Sequence, residues 1–311
     1  MVDRKFTLLI RPTSFIFSDK ACELTYAMHR CCANSKVASI RLLVPPYTPF
    51  PDFTINHILR STRVWSKQSA GGWTPVSSLF LAYPHCTLTF FDAGCDAESI
   101  ALKNRFRYSI DQSVNDLDEL IHSLQLKEFH LLGHSFGGII AYEYLKTNDL
   151  ESGCAKCLSL TLDSTPADIQ MSLNECSRLE CEIKSELMLE INDAPMNLVQ
   201  DRLRKRNECR TEVLPQALAT AIKRRGATFG LEAVSDYVAL PPSKRSLPPV
   251  LLIRGQYDYI TEPCIEGWRQ IFTCAHTYRE EEMINCAHYC HLEDAQRFGD
   301  LIKSHCFIHD Y

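Results

Sequence analysis

The chain has no run of about 18 consecutive apolar residues, the length a membrane-spanning helix needs, so no membrane partner is expected. Residues 6–10 are apolar apart from Thr7, but Arg11 and Pro12 follow at once, and the stretch is too short for the core of a secretory signal. Neither sign of charge dominates. The 33 basic and 38 acidic side chains leave a net charge of -5, and the nearest approach to a cationic block, Arg202 to Arg206, is broken by Leu203 and followed by Glu208. Nucleic-acid binders depend on clustered cations, so that class is excluded. With only 12 glycines, 15 prolines and no internal repeat, nothing marks a linker between independent folds. One domain carrying an insertion is the simplest organisation. What the sequence does not lack is cysteine, but its 15 cysteines are odd in number and irregularly spaced in a chain long enough to bury a core without staples. They are read as reduced thiols, and a cytoplasmic setting follows as an expectation.

Residues 1–72 are divergent, with short strands expected at 24–28 and 40–44 and no clean period over 45–72. From Trp73 the pattern sharpens. A short helix is expected over 76–82, and Thr87-Leu88-Thr89-Phe90-Phe91 is a strand ending at the turn Asp92-Ala93-Gly94. Ser109-Ile110-Asp111-Gln112 has the capping-box pattern, and Ile110, Val114, Leu117, Ile121 and Leu124 continue it at helical spacing. Strands are expected at 129–132, 157–162, 250–253 and 277–283. Helices are expected at 136–147, from Thr261 as N-cap through Phe272, and near 294–302. This alternation predicts an α/β fold with a doubly wound, mostly parallel sheet. Between 166 and 245 the alternation gives way to charged helical sequence, such as 176–189 and 215–225. The expected organisation is a core of 1–165 and 246–311 with a helical lid inserted at 166–245.

The segment Gly133-His134-Ser135-Phe136-Gly137 fits Gly-x-Ser-x-Gly between a predicted strand and a predicted helix. That context suits a nucleophile elbow, where the serine sits on a strained turn and small residues on either side let the backbones approach. The turn aims the Phe136 N–H, at a helix N-terminus, toward a developing oxyanion. An activated serine needs a base and an acid downstream, in the order Ser, acid, His. Asp258, five residues beyond the strand 250–253, and His288, 30 residues further on, occupy suitable loops. His291 competes as base but adjoins the final helix and is read as a packing or capping residue. Cys286, His288, Cys290 and His291 lie too close together to surround one tetrahedral zinc, so no metal is expected.

The chain resembles the α/β-hydrolase superfamily, and within it the proline iminopeptidase group of serine aminopeptidases. The resemblance runs from 73 to 303 and rests on Thr89 to Cys95, Tyr108 to Leu117, Phe129 to Gly138, Gly255-Gln256-Tyr257-Asp258 and His288 to Glu293. It implies Ser135 as nucleophile, Asp258 as acid, His288 as base, and no cofactor. The group's His-Gly-Gly-Pro-Gly motif, source of a second oxyanion donor, has no counterpart after 42–44, where Pro45-Pro46-Tyr47-Thr48-Pro49 stands instead. Gly72, in Ala70-Gly71-Gly72, is the candidate replacement. Arg204 to Arg210 resembles a lid segment of the group, Glu232 falls where a carboxylate would bind a substrate amine, and His134 is expected to touch substrate. The implied activity is cleavage of a small amide or ester through an acyl-enzyme, most readily removal of an N-terminal residue from a short peptide. An esterase or biosynthetic hydrolase of a specialised metabolite, and a non-catalytic α/β-hydrolase-like binding protein, are the alternatives.

Overall fold

The computed structural model describes residues 6–11, 87–92, 109–147, 155–216, 218–219, 234–242, 247–272 and 277–310. The elements expected at 24–28, 40–44 and 76–82, most of 215–225, and the site candidates Gly72 and Glu232 lie outside the described residues.

Among the described residues six strands form one parallel sheet: β1 (Phe6–Arg11), β2 (Thr87–Asp92), β3 (Glu128–His134), β4 (Lys156–Asp163), β5 (Val250–Gly255) and β6 (Tyr278–Met283), in the order β2-β1-β3-β4-β5-β6. The strand beside β3 is therefore Phe6–Arg11, with Ile10 level with Gly133, in a segment that sequence reading weighed only as a signal core. From β1 the chain moves outward to β2 and then returns to β3 on the other side. The order reverses between β1 and β3, and such a switch point leaves a crevice at the carboxyl ends of the strands.

The helices are α1 (Ile110–Ser123), α2 (Phe136–Thr147), α3 (Ile169–Ile191), α4 (Met196–Leu203), α5 (Glu262–Phe272), a short α6 (Cys290–Glu293) and α7 (Ala295–Ile308). Ser109 caps α1 by accepting the Gln112 N–H at 3.1 Å, whereas the Gln112 side chain donates to Asp116 instead of returning to the cap. Half of the expected capping box forms. Thr261 immediately precedes α5, at the expected N-cap position, and its hydroxyl donates to Glu175 of α3 at 2.7 Å, tying the insertion to the core.

The strands β3, β4 and β5 are buried along nearly their whole length, as the inner strands of a parallel sheet covered on both faces are. Along β5 successive side chains alternate: Val250 and Leu252 join a cluster with Ile139, Tyr142 and Trp268, while Leu251 and Ile253 pack with Phe298 and Ile302 of α7. That alternation explains why β5 reads as a continuous apolar run. At the far edge β6 is charged: Glu280 pairs with Arg269 and Glu282 with Arg254. Charge on an edge strand discourages pairing with another chain.

Between β4 and β5 the chain leaves and rejoins the sheet at one place, where Ala239 N–H donates to Ala167 O at 2.7 Å and Ile169 N–H to Tyr237 O at 3.1 Å. In this excursion Leu179, Ile183, Leu187, Val199 and Leu203 form a small apolar cluster of their own, with Tyr259 packed against it. The turn that continues α4, Arg204–Glu208, is π-helical, closed by the Cys209 N–H on Arg204 O at 2.9 Å.

Candidate active site

Ser135 stands where β3 ends and α2 begins, and its φ of 52° lies in the left-handed region that a side chain disfavours. Its N–H donates to Asp163 O at 2.7 Å, and its carbonyl accepts from Gly138 N–H at 2.9 Å, so neighbouring backbone holds the turn in place. Glycine is sterically demanded on both sides. A Cβ on Gly133 would collide with Gly137 O and lie 2.5 Å from Gly138 N, and one on Gly138 would collide with Thr165 Oγ1 and lie 2.6 Å from Thr165 Cγ2. Phe136 opens α2, so its N–H belongs to the first-turn donors that a helix leaves for other acceptors.

Asp258 and His288 come together across two loops. His288 Nδ1 lies 2.9 Å from Asp258 Oδ1, which also accepts the Ile260 N–H at 2.8 Å, and both side chains are buried. Gly255 permits this approach, because a Cβ there would collide with Ala287 O and lie 2.7 Å from Ala287 C, at the residue before His288. The other imidazole nitrogen, Nε2, is 2.9 Å from the Tyr259 hydroxyl, and the two rings stack with centroids 4.2 Å apart. Among the described residues no hydrogen bond joins Ser135 Oγ to His288. Tyr259 escaped sequence reading. Its position beside Asp258 was the only signal available.

His134 was expected to touch substrate. Its ring is buried, with Nδ1 2.9 Å from Asp163 Oδ2, and its centroid stands 4.8 Å from that of His288. His291 Nδ1 approaches the same carboxylate oxygen at 3.7 Å. Burial lowers His134, and lowers His291 to about 4. Burial would raise Asp163, but the charge and hydrogen bonds of His134 and His291 outweigh it and bring the carboxyl to about 2. At neutral pH the cluster is thus one carboxylate accepting from the neutral His134 imidazole, with the neutral His291 ring beside it. These three residues offer ligand-type atoms within 4.8 Å of one another, and the His134–Asp163 spacing of 2.9 Å is that of a hydrogen bond. The alternative zinc set weighed from sequence does not converge, since His288 turns to Asp258, His291 faces Asp163 and Cys290 Sγ donates to Ala287 O.

A profile of the Alpha/beta hydrolase family matches residues 64–301. The chain belongs to that family. Among solved structures it is similar to the proline iminopeptidase of Mycobacterium smegmatis, at 18% identity and a TM-score of 0.57, covering 77% of this chain and 87% of that one. A hydrolase from Oleispira antarctica, olei00960, matches at 12% identity and a TM-score of 0.56 over 97% of this chain and 90% of that one. The type II thioesterase BorB from the borrelidin biosynthetic cluster matches at 12% identity and a TM-score of 0.52 over 98% and 94%. At these identities the likeness is one of fold. No curated protein matches the chain. No helix among the described residues is long and apolar enough to cross a membrane.

Proposed function

We propose that the chain is a serine hydrolase that cleaves a small amide or ester through an acyl-enzyme, with Ser135 as nucleophile, His288 as base and Asp258 as acid. The observation that carries the reading is the buried His288–Asp258 hydrogen bond on the same sheet edge as the left-handed turn at Ser135. Asp258 holds the tautomer with the proton on Nδ1, leaving Nε2 to take the Ser135 proton as Oγ attacks the acyl carbon. The Phe136 N–H stabilises the oxyanion, and His288 returns the proton to the leaving group. Gly72 is the sequence-based candidate for the second donor. Residues 166–245 act as a lid in this reading, and the aminopeptidase preference is supported by the fold shared with a proline iminopeptidase and by the lid carboxylate Glu232. The substrate is a small molecule or short peptide.

A second reading, a non-catalytic binding protein, is favoured by one observation: the Tyr259 hydroxyl stands at the nitrogen that Ser135 would need. Labelling with a fluorophosphonate separates the two. Covalent modification of the wild type and none of Ser135→Ala is the expected result, whereas a chain inert to the probe despite intact folding overturns the hydrolase.

A further inference from the structure

The π-helical turn at Arg204–Glu208 sits against the loops that carry Asp258 and His288, and one of its residues reaches both. The buried Asn207 side chain donates from Nδ2 to Tyr257 O at 2.8 Å, immediately before Asp258. Its backbone carbonyl accepts the His288 N–H at 3.3 Å, and the next carbonyl, of Glu208, accepts the Tyr289 N–H at 3.1 Å. Arg210 extends the seam. Its guanidinium lies 3.9 Å over the Tyr257 ring and donates to Asn285 O at 3.2 Å, while its N–H donates to Glu293, whose carboxylate also takes the Ala287 N–H at 3.0 Å.

The two loops also touch directly, through Tyr257 N–H on Cys286 O at 2.9 Å. That contact uses the Tyr257 N–H, and Asn207 takes the carbonyl of the same residue, so the backbone just before Asp258 is held from both sides. The end of the helical run explains how the brace arises. Asn207 and Glu208 close the π-helical turn and Cys209 is extended, so their carbonyls are among the last ones, which a helix leaves without an intrahelical partner, and π-helical turns concentrate at functional sites.

We infer that Asn207 is a positioning residue: it sets the Asp258–His288 pair by bonding one loop through its side chain and the other through its backbone. This rests on the serine-hydrolase reading for its catalytic consequence, but the geometric consequence stands by itself. The side-chain bond is the part a substitution can remove. Asn207→Ala deletes it, and Asn207→Asp keeps the shape while setting a carboxylate oxygen against the Tyr257 carbonyl.

The test measures two things on the full chain. One is the far-downfield proton resonance of the His288 Nδ1–H, assigned by its loss in His288→Ala and its survival in Ser135→Ala. The other is turnover of an aminoacyl ester. Asn207→Ala should broaden or shift that resonance and lower kcat about 10- to 100-fold, the scale of a small misplacement of a catalytic group, with KM nearly unchanged. Asn207→Asp should do the same in a protein with wild-type circular dichroism. A folded Asn207→Ala with an unmoved resonance and kcat within about twofold of wild type would overturn the inference, as would loss of folding in both variants, which would make the residue structural. If the wild type fails to label at Ser135, the hydrolase reading falls while the resonance still decides the role of Asn207.

Discussion

The Tyr259 hydroxyl lies 2.9 Å from His288 Nε2, and Tyr259 also packs against the apolar cluster of the inserted helices. Through this one side chain the insertion touches the nitrogen on which the proposed chemistry depends. Before His288 can deprotonate Ser135, that contact must give way. A hydrogen bond of this kind is worth about 0.5–1.5 kcal/mol net, so Tyr259→Phe should raise the rate of fluorophosphonate labelling by roughly two- to tenfold. Stopped-time labelling at fixed probe concentration measures it. A slower rate in Tyr259→Phe would show instead that the hydroxyl takes part in the reaction.

The strain at Ser135 makes a second prediction. A left-handed φ of 52° costs a residue with a Cβ about 1 kcal/mol, a cost that glycine escapes. Ser135→Gly should therefore gain about 1 kcal/mol in chemical denaturation while losing all hydrolysis. Ser135→Ala, which keeps the Cβ, should lose hydrolysis at unchanged stability. Equal stabilities for the glycine and alanine variants would mean that the turn relaxes without its serine.

The legible parts of the molecule were those whose signal is local. The period of Val114, Leu117 and Ile121, the β-branched and aromatic run at 87–91, and the glycines about Ser135 each state their structure within a dozen residues. Phe6–Arg11 was missed as a strand because six apolar-rich residues followed by proline carry no period that separates a strand from a short apolar segment. Its place beside β3 is set by pairing at long range. Thr261 stands immediately before α5, as read, but its hydroxyl's bond to Glu175 was hidden for a related reason: the acceptor comes from a helix 86 residues away. The pairing of His134 and His291 with Asp163 was hidden in the same way. Each stands in a distinct sequence segment, and only the sheet edge gathers them.

That gathering gives a pH prediction. His291 and His305 are pushed down to about 4 by burial, and His134 is lowered by burial as well. Unfolding returns each to the ordinary value near 6.5, so between about 6.5 and 4 the unfolded chain binds more protons than the native one. Stability is therefore full above this window and falls as pH drops through it, while Asp163, at about 2, remains ionised throughout. His291→Asn should flatten the dependence by about one proton, or ~1.4 kcal/mol per pH unit at its steepest. Urea denaturation at several pH values across that window measures the slope. An unaltered slope would mean that His291 is already protonated in the native protein. Because His291 is placed outside the proposed triad, the same substitution should cost far less activity than His288→Ala.

The last prediction concerns what the proposed hydrolase cleaves. Glu232 lies in the inserted segment, and if its carboxylate receives a substrate ammonium, that ion pair is made by a free N-terminus and lost on acetylation. A charge-assisted hydrogen bond is worth about 1.5–3 kcal/mol, so free aminoacyl amides should be preferred over their acetylated forms by roughly tenfold or more in kcat/KM. Glu232→Gln removes the charge while keeping the shape, and should erase most of that preference. Hydrolysis of a simple ester, which has no amine to bind, should continue at the wild-type rate in the same variant. Paired assays of free and acetylated prolyl and alanyl amides in both proteins decide it. Equal rates on the two substrate forms in the wild type would turn the assignment toward an esterase or a biosynthetic hydrolase. A preference that survives Glu232→Gln would place amine recognition on another carboxylate of the inserted segment.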